Sequence, residues 1–166
     1  PPGRGLFDNG AGTGPPHTGQ PGDPYAGFEA SFATLPVPGA TARTWYLGPQ
    51  GALSDMAVGS GVDGYTSDAH ALPLTDFGPN TGTGGLWGNA SQWSWDWKQN
   101  PTGTAVSYVT SPLTATTTVV GAGAVTAWVR SSTPDVDLQV TISEVDPSGH
   151  ETFVQNGWLR ASERAL

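Results

Sequence analysis

The C-terminal part of the chain alternates between apolar and polar residues in short runs. The clearest run is VDLQVTISEVD, residues 136–146. Because successive side chains of a strand point to opposite faces, its apolar and polar positions separate onto two faces. The apolar positions are Val136, Leu138, Val140 and Ile142, and the polar positions are Asp137, Gln139, Thr141 and Ser143. One buried and one solvated face is typical of a strand in an antiparallel sheet.

Similar runs, separated by Pro, Gly and Asn, predict further strands at residues 42–48, 104–113, 124–130, 151–157 and 158–164. The sequence DPSG, residues 146–149, predicts a hairpin turn directly after the 136–146 strand. Many short strands with turns between them favour an all-β fold, and we predict a jelly-roll β-sandwich with long loops.

Two N-terminal stretches differ from this pattern. FEASFAT, residues 28–34, predicts one short helix of one or two turns. Residues 1–24 are rich in Gly and Pro and predict a linker, so the β-sandwich domain is expected over residues 25–166. The chain opens on PPGRG with no initiating Met, which is typical of a fragment or a processed product.

Composition excludes several classes of function. With a net charge of −8, the chain has no basic surface for nucleic acid or for an anionic membrane. It contains no Cys, which excludes disulfides and thiolate metal sites. No apolar run approaches the ~20 residues of a membrane-spanning helix.

Asp135 and Asp137 are the first candidates for chemistry. Two residues apart on a strand, their carboxylates would point to the same face, where such a pair binds a cation such as calcium or raises one pKa. Asp135 follows Pro134 at the start of the strand, where Asp commonly accepts hydrogen bonds from local backbone. We favour this structural role over calcium binding, and calcium binding over catalysis; no other cofactor is indicated.

Other polar residues give no catalytic pattern. The three histidines, His17, His70 and His150, lack metal-binding spacing. The chain has no G-x-S-x-G sequence, so we expect no Ser-His-Asp triad within it. The Gly-rich residues 82–88 lack the Lys-Ser/Thr pair of a phosphate-binding loop. We therefore predict no catalytic residue in this chain.

Four tryptophans are close in sequence: Trp87, Trp93, Trp95 and Trp97. The last three alternate, so on an extended chain their rings share a face. Exposed rings of this kind suit a carbohydrate-binding module, whereas buried rings cover a core or an interface. We favour the core or interface and keep the carbohydrate-binding module as the alternative function.

Several stretches, taken in order, resemble one protein family. They are FDNGAG, FEASF, YLGPQGALS, YTSDAHALPLTDFG, TGGLWG, AVSYVTSPL, the run from VVGAGAV to DPSG, and QNGWLRASER. This set is similar to the C-terminal domain of the X-Pro dipeptidyl-peptidase and cocaine-esterase-like (CocE/NonD) hydrolases, and it covers roughly residues 7–166. The family's Asp-Thr-Asp-Phe motif stands here as Asp-Val-Asp-Leu, residues 135–138, and its dGxLRAxxR motif stands at residues 156–164.

The resemblance implies a jelly roll of the galactose-binding-like type, packed against an α/β-hydrolase domain that carries the catalytic triad and is absent from this chain. The chain would then be the non-catalytic C-terminal domain of a serine hydrolase acting on acyl esters, amides or X-Pro peptides. It would shape the active-site entrance and stabilise the fold or an oligomer. The candidate interface or ligand-facing residues are Gly84, Gly85, Leu86, Trp87, Trp93, Trp95 and Trp97.

The resemblance also implies that Asp135 and Asp137 are structural and fix the start of the strand through backbone or a neighbouring arginine. Arg160 and Arg164 are the candidate partners. Family domains continue beyond the RASER-like run, so we expect the sandwich to be incomplete at its C-terminus. The compartment is undetermined, although low Lys content and the absence of Cys suit a secreted bacterial protein.

Overall fold

The computed structural model describes residues 3–7, 28–68, 70–71, 100–149 and 151–164. The strands in these ranges are β1 (Gly3–Phe7), β2 (Phe28–Phe32), β3 (Tyr46–Leu47), β4 (Ala52–Ser54), β5 (Val109–Thr110), β6 (Asp137–Val145) and β7 (Glu151–Arg160). Short 3₁₀ turns lie at Pro49–Gly51 and Ala161–Glu163. The predicted all-β class is confirmed, and the β-strands are consistent with a sandwich; the jelly-roll topology stays a prediction.

The chain divides into two compact units. Of the described residues, the first unit contains 3, 32–68, 70–71 and 100–121, with the sheet β3–β4–β5. The second unit contains the β6–β7 hairpin and most of the paired strands β1 and β2. Within the described ranges, no helix has the length and apolar character needed to cross a membrane.

In the first unit, the backbone of the turn between β3 and β4 lies close to the backbone at Ser107. β4 pairs antiparallel with β3 and parallel with β5. The turn from β3 to β4 is closed by the N–H of Gly48, which donates to the carbonyl of Ala52 at 2.7 Å. Gly51, at the end of this turn, has φ +73°, and a Cβ there would lie 2.9 Å from the carbonyl oxygen of Ser107. The position therefore requires glycine.

The second unit contains the hairpin that the DPSG turn predicts. The N–H of Gly149 donates to the carbonyl of Asp146 at 2.9 Å. The Asp146 carboxylate accepts from the N–H and hydroxyl of Ser148 at 2.8 and 2.6 Å. Gly149 adopts φ +85°, the left-handed conformation that favours glycine. The predicted turn and the predicted strand before it are confirmed.

One extra residue in β7 sets the register of this hairpin. Next to the turn, Ser143 lies opposite Phe153. One residue farther from the turn, Ile142 lies opposite Gln155, so β7 advances by two residues where β6 advances by one. Val154 is therefore left without a partner on β6, which is a β-bulge. A shift of one residue exchanges the faces of a strand relative to its partner, so this bulge decides which side chains meet.

Between the bulge and the open end of the hairpin, the two faces of the hairpin carry chemically distinct residues. The apolar face carries Leu138, Val140, Ile142 and Leu159, and the register also places Gly157 and Gln155 on it. The polar face carries Asp137, Gln139, Thr141, Asn156, Trp158 and Arg160. Of the residues that the structure describes, no hydrophobic side chain is buried, and Val140, Ile142 and Leu159 are 39%, 54% and 47% exposed.

Two predictions, at residues 28–34 and 124–130, were wrong. FEASFAT does not form a helix, because residues 28–32 are strand β2, paired with β1. Its Phe-Glu-Ala-Ser-Phe alternation has the period of a strand, and aromatic residues favour strands. Strand β1, residues 3–7, lies within the stretch 1–24 that was expected to be a linker, and the role of that stretch stays a prediction. Residues 124–130 have no strand assignment, and Trp128 is fully exposed at 104%.

The remaining strand predictions differ in length. The strands expected at 42–48 and 104–113 shorten to β3 and β5, of two residues each. The two runs expected at 151–157 and 158–164 instead form one continuous strand, β7, followed by a 3₁₀ turn. The alternation of apolar and polar residues shows where the sequence is compatible with a strand. Pairing with a neighbouring strand determines how long that strand is.

The Gly51 contact gives a test of the first unit. Gly51→Ala is expected to destabilise the protein more than Gly59→Ala, as measured by urea unfolding. Both positions have positive φ, +73° and +66°, which costs an alanine about 1–2 kcal/mol. Only at Gly51 would the new methyl group also meet backbone, since nothing lies within 4 Å of a Cβ at Gly59. Equal losses from the two variants would contradict the described packing of the turn.

Candidate functional site

The base of the β6–β7 hairpin holds the two aspartates that the sequence singles out. Asp135 immediately precedes the start of β6. Its Oδ1 accepts hydrogen bonds from the N–H groups of Val136 and Ser162, both at 3.0 Å. Its Oδ2 accepts from the Ser162 hydroxyl at 2.7 Å. One carboxylate therefore ties the start of β6 to the turn that follows β7.

The segment that leads to Asp135 is ordered by side-chain hydrogen bonds. The N–H of Thr133 donates to the Ser131 hydroxyl at 3.0 Å, and the Thr133 hydroxyl donates to the carbonyl of Asp135 at 2.7 Å. Ser and Thr side chains stabilise turns through such local bonds. They orient the backbone so that the Asp135 carboxylate points toward Ser162.

Asp137 lies directly opposite Arg160 in the register. Arg160 donates from Nε to Oδ1 at 2.8 Å and from Nη2 to Oδ2 at 3.2 Å, a two-pronged contact between exposed side chains. The N–H of Ala161 donates to the carbonyl of Val136 at 2.9 Å. Because hydrogen-bonded and non-hydrogen-bonded pairs alternate, Asp137 and Arg160 form a non-hydrogen-bonded pair, in which side chains lie closer.

These contacts change the ionisation of both carboxylates. The hydrogen bond from the Ser162 hydroxyl, with backbone donors and the nearby Arg160, lowers the pKa of Asp135. The hydrogen bond from Arg160, together with its charge, lowers the pKa of Asp137 and raises the pKa of Arg160. Both aspartates therefore remain ionised at neutral pH, as anchors in the hairpin base rather than as proton donors.

Of the two arginines proposed as partners, Arg160 contacts an aspartate and Arg164 does not. Arg164 donates from Nη1 to the carbonyl of Ala161 at 2.8 Å, within its own 3₁₀ turn. Sequence reasoning missed Ser162, the second partner of Asp135. The register contains the signal for it, because a strand pairing that places residue 137 opposite 160 places residue 135 opposite 162.

The described residues contain no group of three or more His, Asp or Glu side chains that could hold a metal ion. At the two aspartates, protein donors already contact all four carboxylate oxygens. A calcium ion would have to compete with these donors, and calcium binding stays a prediction.

All seven predicted interface or ligand-facing residues lie outside the described residues. These are Gly84, Gly85, Leu86, Trp87, Trp93, Trp95 and Trp97, and two of the histidines, His17 and His150, also fall there. His70 is exposed, and its Nδ1 lies 3.3 Å from Oδ1 of Asp68. The role of the Trp-rich stretch, as interface or as sugar site, stays a prediction.

The first unit has two polar contacts that sequence reasoning missed. Arg43 forms a two-pronged ion pair with Asp55 and lies over the ring of Trp45, 4.9 Å from its centroid. The hydroxyl of Tyr108 donates to Asp63 at 2.7 Å, and this bond raises the pKa of Tyr108. Both contacts join residues far apart in sequence, so no local pattern indicates them.

Comparison with known proteins gives a family match over nearly the whole chain. The family model described as the X-Pro dipeptidyl-peptidase C-terminal non-catalytic domain matches residues 7–166. No curated protein and no solved structure matches the chain.

A high salt concentration is expected to affect the contact of Asp137 but not that of Asp135. Asp135→Ala and Asp137→Ala are both expected to lower the melting temperature. In about 1 M NaCl the effect of Asp137→Ala should shrink, because an exposed ion pair is screened. The effect of Asp135→Ala should persist, because its main partners are uncharged donors. An unchanged melting temperature for both variants, or the reverse salt dependence, would contradict these roles.

The pKa of Asp135 predicts a pH dependence. Because folding lowers this pKa, the ionised carboxylate stabilises the folded state above the unfolded pKa of about 3.9. That stabilisation is lost as the pH falls through the folded pKa. The difference in unfolding free energy between the parent chain and Asp135→Asn should therefore be constant between about pH 5 and 7 and shrink below about pH 4. Ser162→Ala, which removes the main donor, should show the same trend, and a difference that grows on acidification would refute the assignment.

Proposed function

The chain belongs to the family of X-Pro dipeptidyl-peptidase C-terminal non-catalytic domains, and we propose that it docks on its catalytic domain through the apolar face of the β6–β7 hairpin. Membership in this family implies a catalytic domain in the same polypeptide. We propose that this partner is an α/β-hydrolase with a Ser-His-Asp triad, as the resemblance implies. Docking would stabilise the enzyme and shape the entrance of its active site.

The exposed apolar face is the observation that carries this proposal. A two-stranded hairpin is at best marginally stable alone in water, and it needs a further layer against its hydrophobic face. Val140, Ile142 and Leu159 are each more than one third exposed. Contiguous exposed apolar residues of this kind mark protein interaction sites. A covering surface from the catalytic domain would remove these side chains from water.

Gly157 leaves a shallow notch in this apolar face. It lies opposite Val140, in the middle of the apolar face, and nothing is within 4 Å of the Cβ that a larger residue would have there. The face therefore has a shallow notch between Gln155 and Leu159. A projecting apolar side chain of the catalytic domain would fit this notch, which gives the docking a defined position.

The test compares the isolated chain with the full-length enzyme. Val140→Asp places a carboxylate on the apolar face, and Ser132→Asp places the same charge on an exposed loop. In the isolated chain, both are expected to change stability little, because neither side chain is buried. In the full-length enzyme, Val140→Asp should lower the melting temperature and reduce kcat/KM for an X-Pro chromogenic amide about tenfold, since a buried unpaired carboxylate weakens an interface strongly.

The control Ser132→Asp should leave both quantities unchanged in the full-length enzyme. If Val140→Asp behaves like Ser132→Asp there, the apolar face does not dock on the catalytic domain. If Val140→Asp destabilises the isolated chain as much as the full-length enzyme, the face is instead part of the domain's own packing.

A further inference from the structure

We propose that Asn156 and Gly157 form a self-modification site that becomes reactive when the β6–β7 hairpin opens. The reaction converts Asn156 to isoaspartate or aspartate through a succinimide, and the isoaspartate product prevents β7 from pairing with β6 in its native register. The proposal does not rest on the proposed function, because the reaction needs only the hairpin and water.

The dipeptide Asn156-Gly157 has the composition that this chemistry needs. Asn side chains are thermolabile, because the backbone nitrogen of the next residue can attack the side-chain amide carbon. A glycine at the next position hinders this attack least, since it has no side chain. The backbone of β7 does not itself require glycine at this position. Gly157 has no positive φ, and nothing lies within 4 Å of a Cβ built there.

The reaction balances with water as its only co-reactant. The nitrogen of Gly157 forms a bond with Cγ of Asn156, the bond from Cγ to Nδ2 breaks, and ammonia leaves with the proton that the nitrogen loses. The five-membered succinimide ring then takes up one water. Attack of water at Cγ gives aspartate, whereas attack at the main-chain carbonyl carbon gives isoaspartate, in which the chain runs through Cγ.

The ladder of the hairpin holds the attacking nitrogen in the folded chain. Gly157 lies opposite Val140 in the register. The N–H of Ala161 donates to the carbonyl of Val136, so Val136 and Ala161 form a hydrogen-bonded pair. Because hydrogen-bonded pairs recur at every second residue, Val140 and Gly157 form another. The Gly157 N–H is therefore directed at the Val140 carbonyl and not at the Asn156 side chain.

The backbone of Asn156 is also in an unreactive conformation. Asn156 lies within β7 opposite Thr141, and its N–H donates to Oε1 of Gln155 at 3.0 Å. Closing the succinimide ring requires rotation about the Cα–C bond of Asn156, out of the ψ range of an extended strand. This rotation turns Gly157 away from β6. The reaction therefore requires β7 to separate from β6 at this point.

The contacts at the open end of the hairpin control how often the strands separate. Asp137 contacts Arg160, and Asp135 contacts Ser162, both on the side of Gly157 that lies away from the turn. Local opening costs less free energy than global unfolding, and it begins where few contacts hold the backbone. Loss of either aspartate contact should increase the open fraction and, with it, the rate of reaction at Asn156.

The isoaspartate product changes the register that these contacts need. It adds one carbon atom to the backbone of β7 between the Val154 bulge and Arg160. The added length displaces Arg160 from Asp137, because cross-strand partners are fixed by the spacing along each strand. Both products also add a negative charge to a chain with a net charge of −8. The hairpin that opens and reacts therefore does not close again as before.

The experiment measures the reaction in the 166-residue chain at mildly alkaline pH. Trypsin then releases peptide 131–160, in which Asn156 is the single Asn. Mass spectrometry gives the fraction converted, and fragmentation distinguishes isoaspartate from aspartate. We expect conversion in native buffer to be at least about tenfold slower than in urea. In urea, the second Asn-Gly pair of the chain, Asn9-Gly10, should react at a similar rate and gives the rate without structure.

Variants test the role of the hairpin contacts. In native buffer, Asp135→Ala should speed conversion at least about fivefold, and Asp137→Ala about twofold to threefold. The matched control is Asp55→Ala, which removes a two-pronged ion pair with Arg43 in the first unit and should react as the parent chain does. Gly157→Ala should abolish most of the conversion even in urea, because the added methyl group hinders ring closure.

Several outcomes overturn the proposal. They are equal conversion in native buffer and in urea, aspartate without isoaspartate, and rates for Asp135→Ala and Asp137→Ala that match the parent chain. If Asp55→Ala reacts as fast as Asp135→Ala, conversion follows unfolding of the whole chain, and the proposal is wrong. If Asp135→Ala fails to fold, Asp137→Ala decides the question. The measurement needs no catalytic domain, so its failure is distinct from a failure of the docking test.

Discussion

The register of the β6–β7 hairpin is the constraint on which the rest of this structure depends. Val154, the unpaired residue of the bulge, places Asp137 opposite Arg160 and Leu138 opposite Leu159. Without it, the pairing beside the turn would continue, and Asp137 would lie opposite Leu159. A carboxylate would then lose its guanidinium partner, and the apolar and polar positions of the two strands would mix on each face. One residue thus separates the hairpin into two faces with different chemistry.

This separation explains how a chain with no buried hydrophobic side chain among its described residues can still present a defined surface. The Asp135 and Asp137 contacts hold the open end of the hairpin, and the Asp146 turn holds its closed end. Between these ends lies the apolar face that we propose as the docking surface for the catalytic domain. The aspartates that first suggested catalysis or calcium thus act, in our account, as the supports of a binding surface.

Sequence reasoning predicted the parts of this account that local pattern controls. The alternation of VDLQVTISEVD gave β6, DPSG gave the turn, and Arg160 was among the two expected partners of the aspartates. It failed where pairing partners decide the outcome: FEASF became a strand because β1 pairs with it, and residues 124–130 have no strand assignment. No feature of the sequence indicates a bulge at Val154, since Val is also favoured in a regular strand. Ser162 was missed for the same reason, because its position opposite Asp135 exists only in the bulged register.

The most direct test of the central claim is the set of cross-strand Hα–Hα nuclear Overhauser effects in the isolated chain. Non-hydrogen-bonded pairs bring their Hα atoms closest, so the bulged register predicts strong effects between Asp137 and Arg160 and between Gln139 and Trp158. Effects that instead connect Leu138 with Trp158, or Val140 with Asn156, would show that the strands pair without the bulge. The polar and apolar faces, and the docking surface proposed on the apolar face, would then not exist as described.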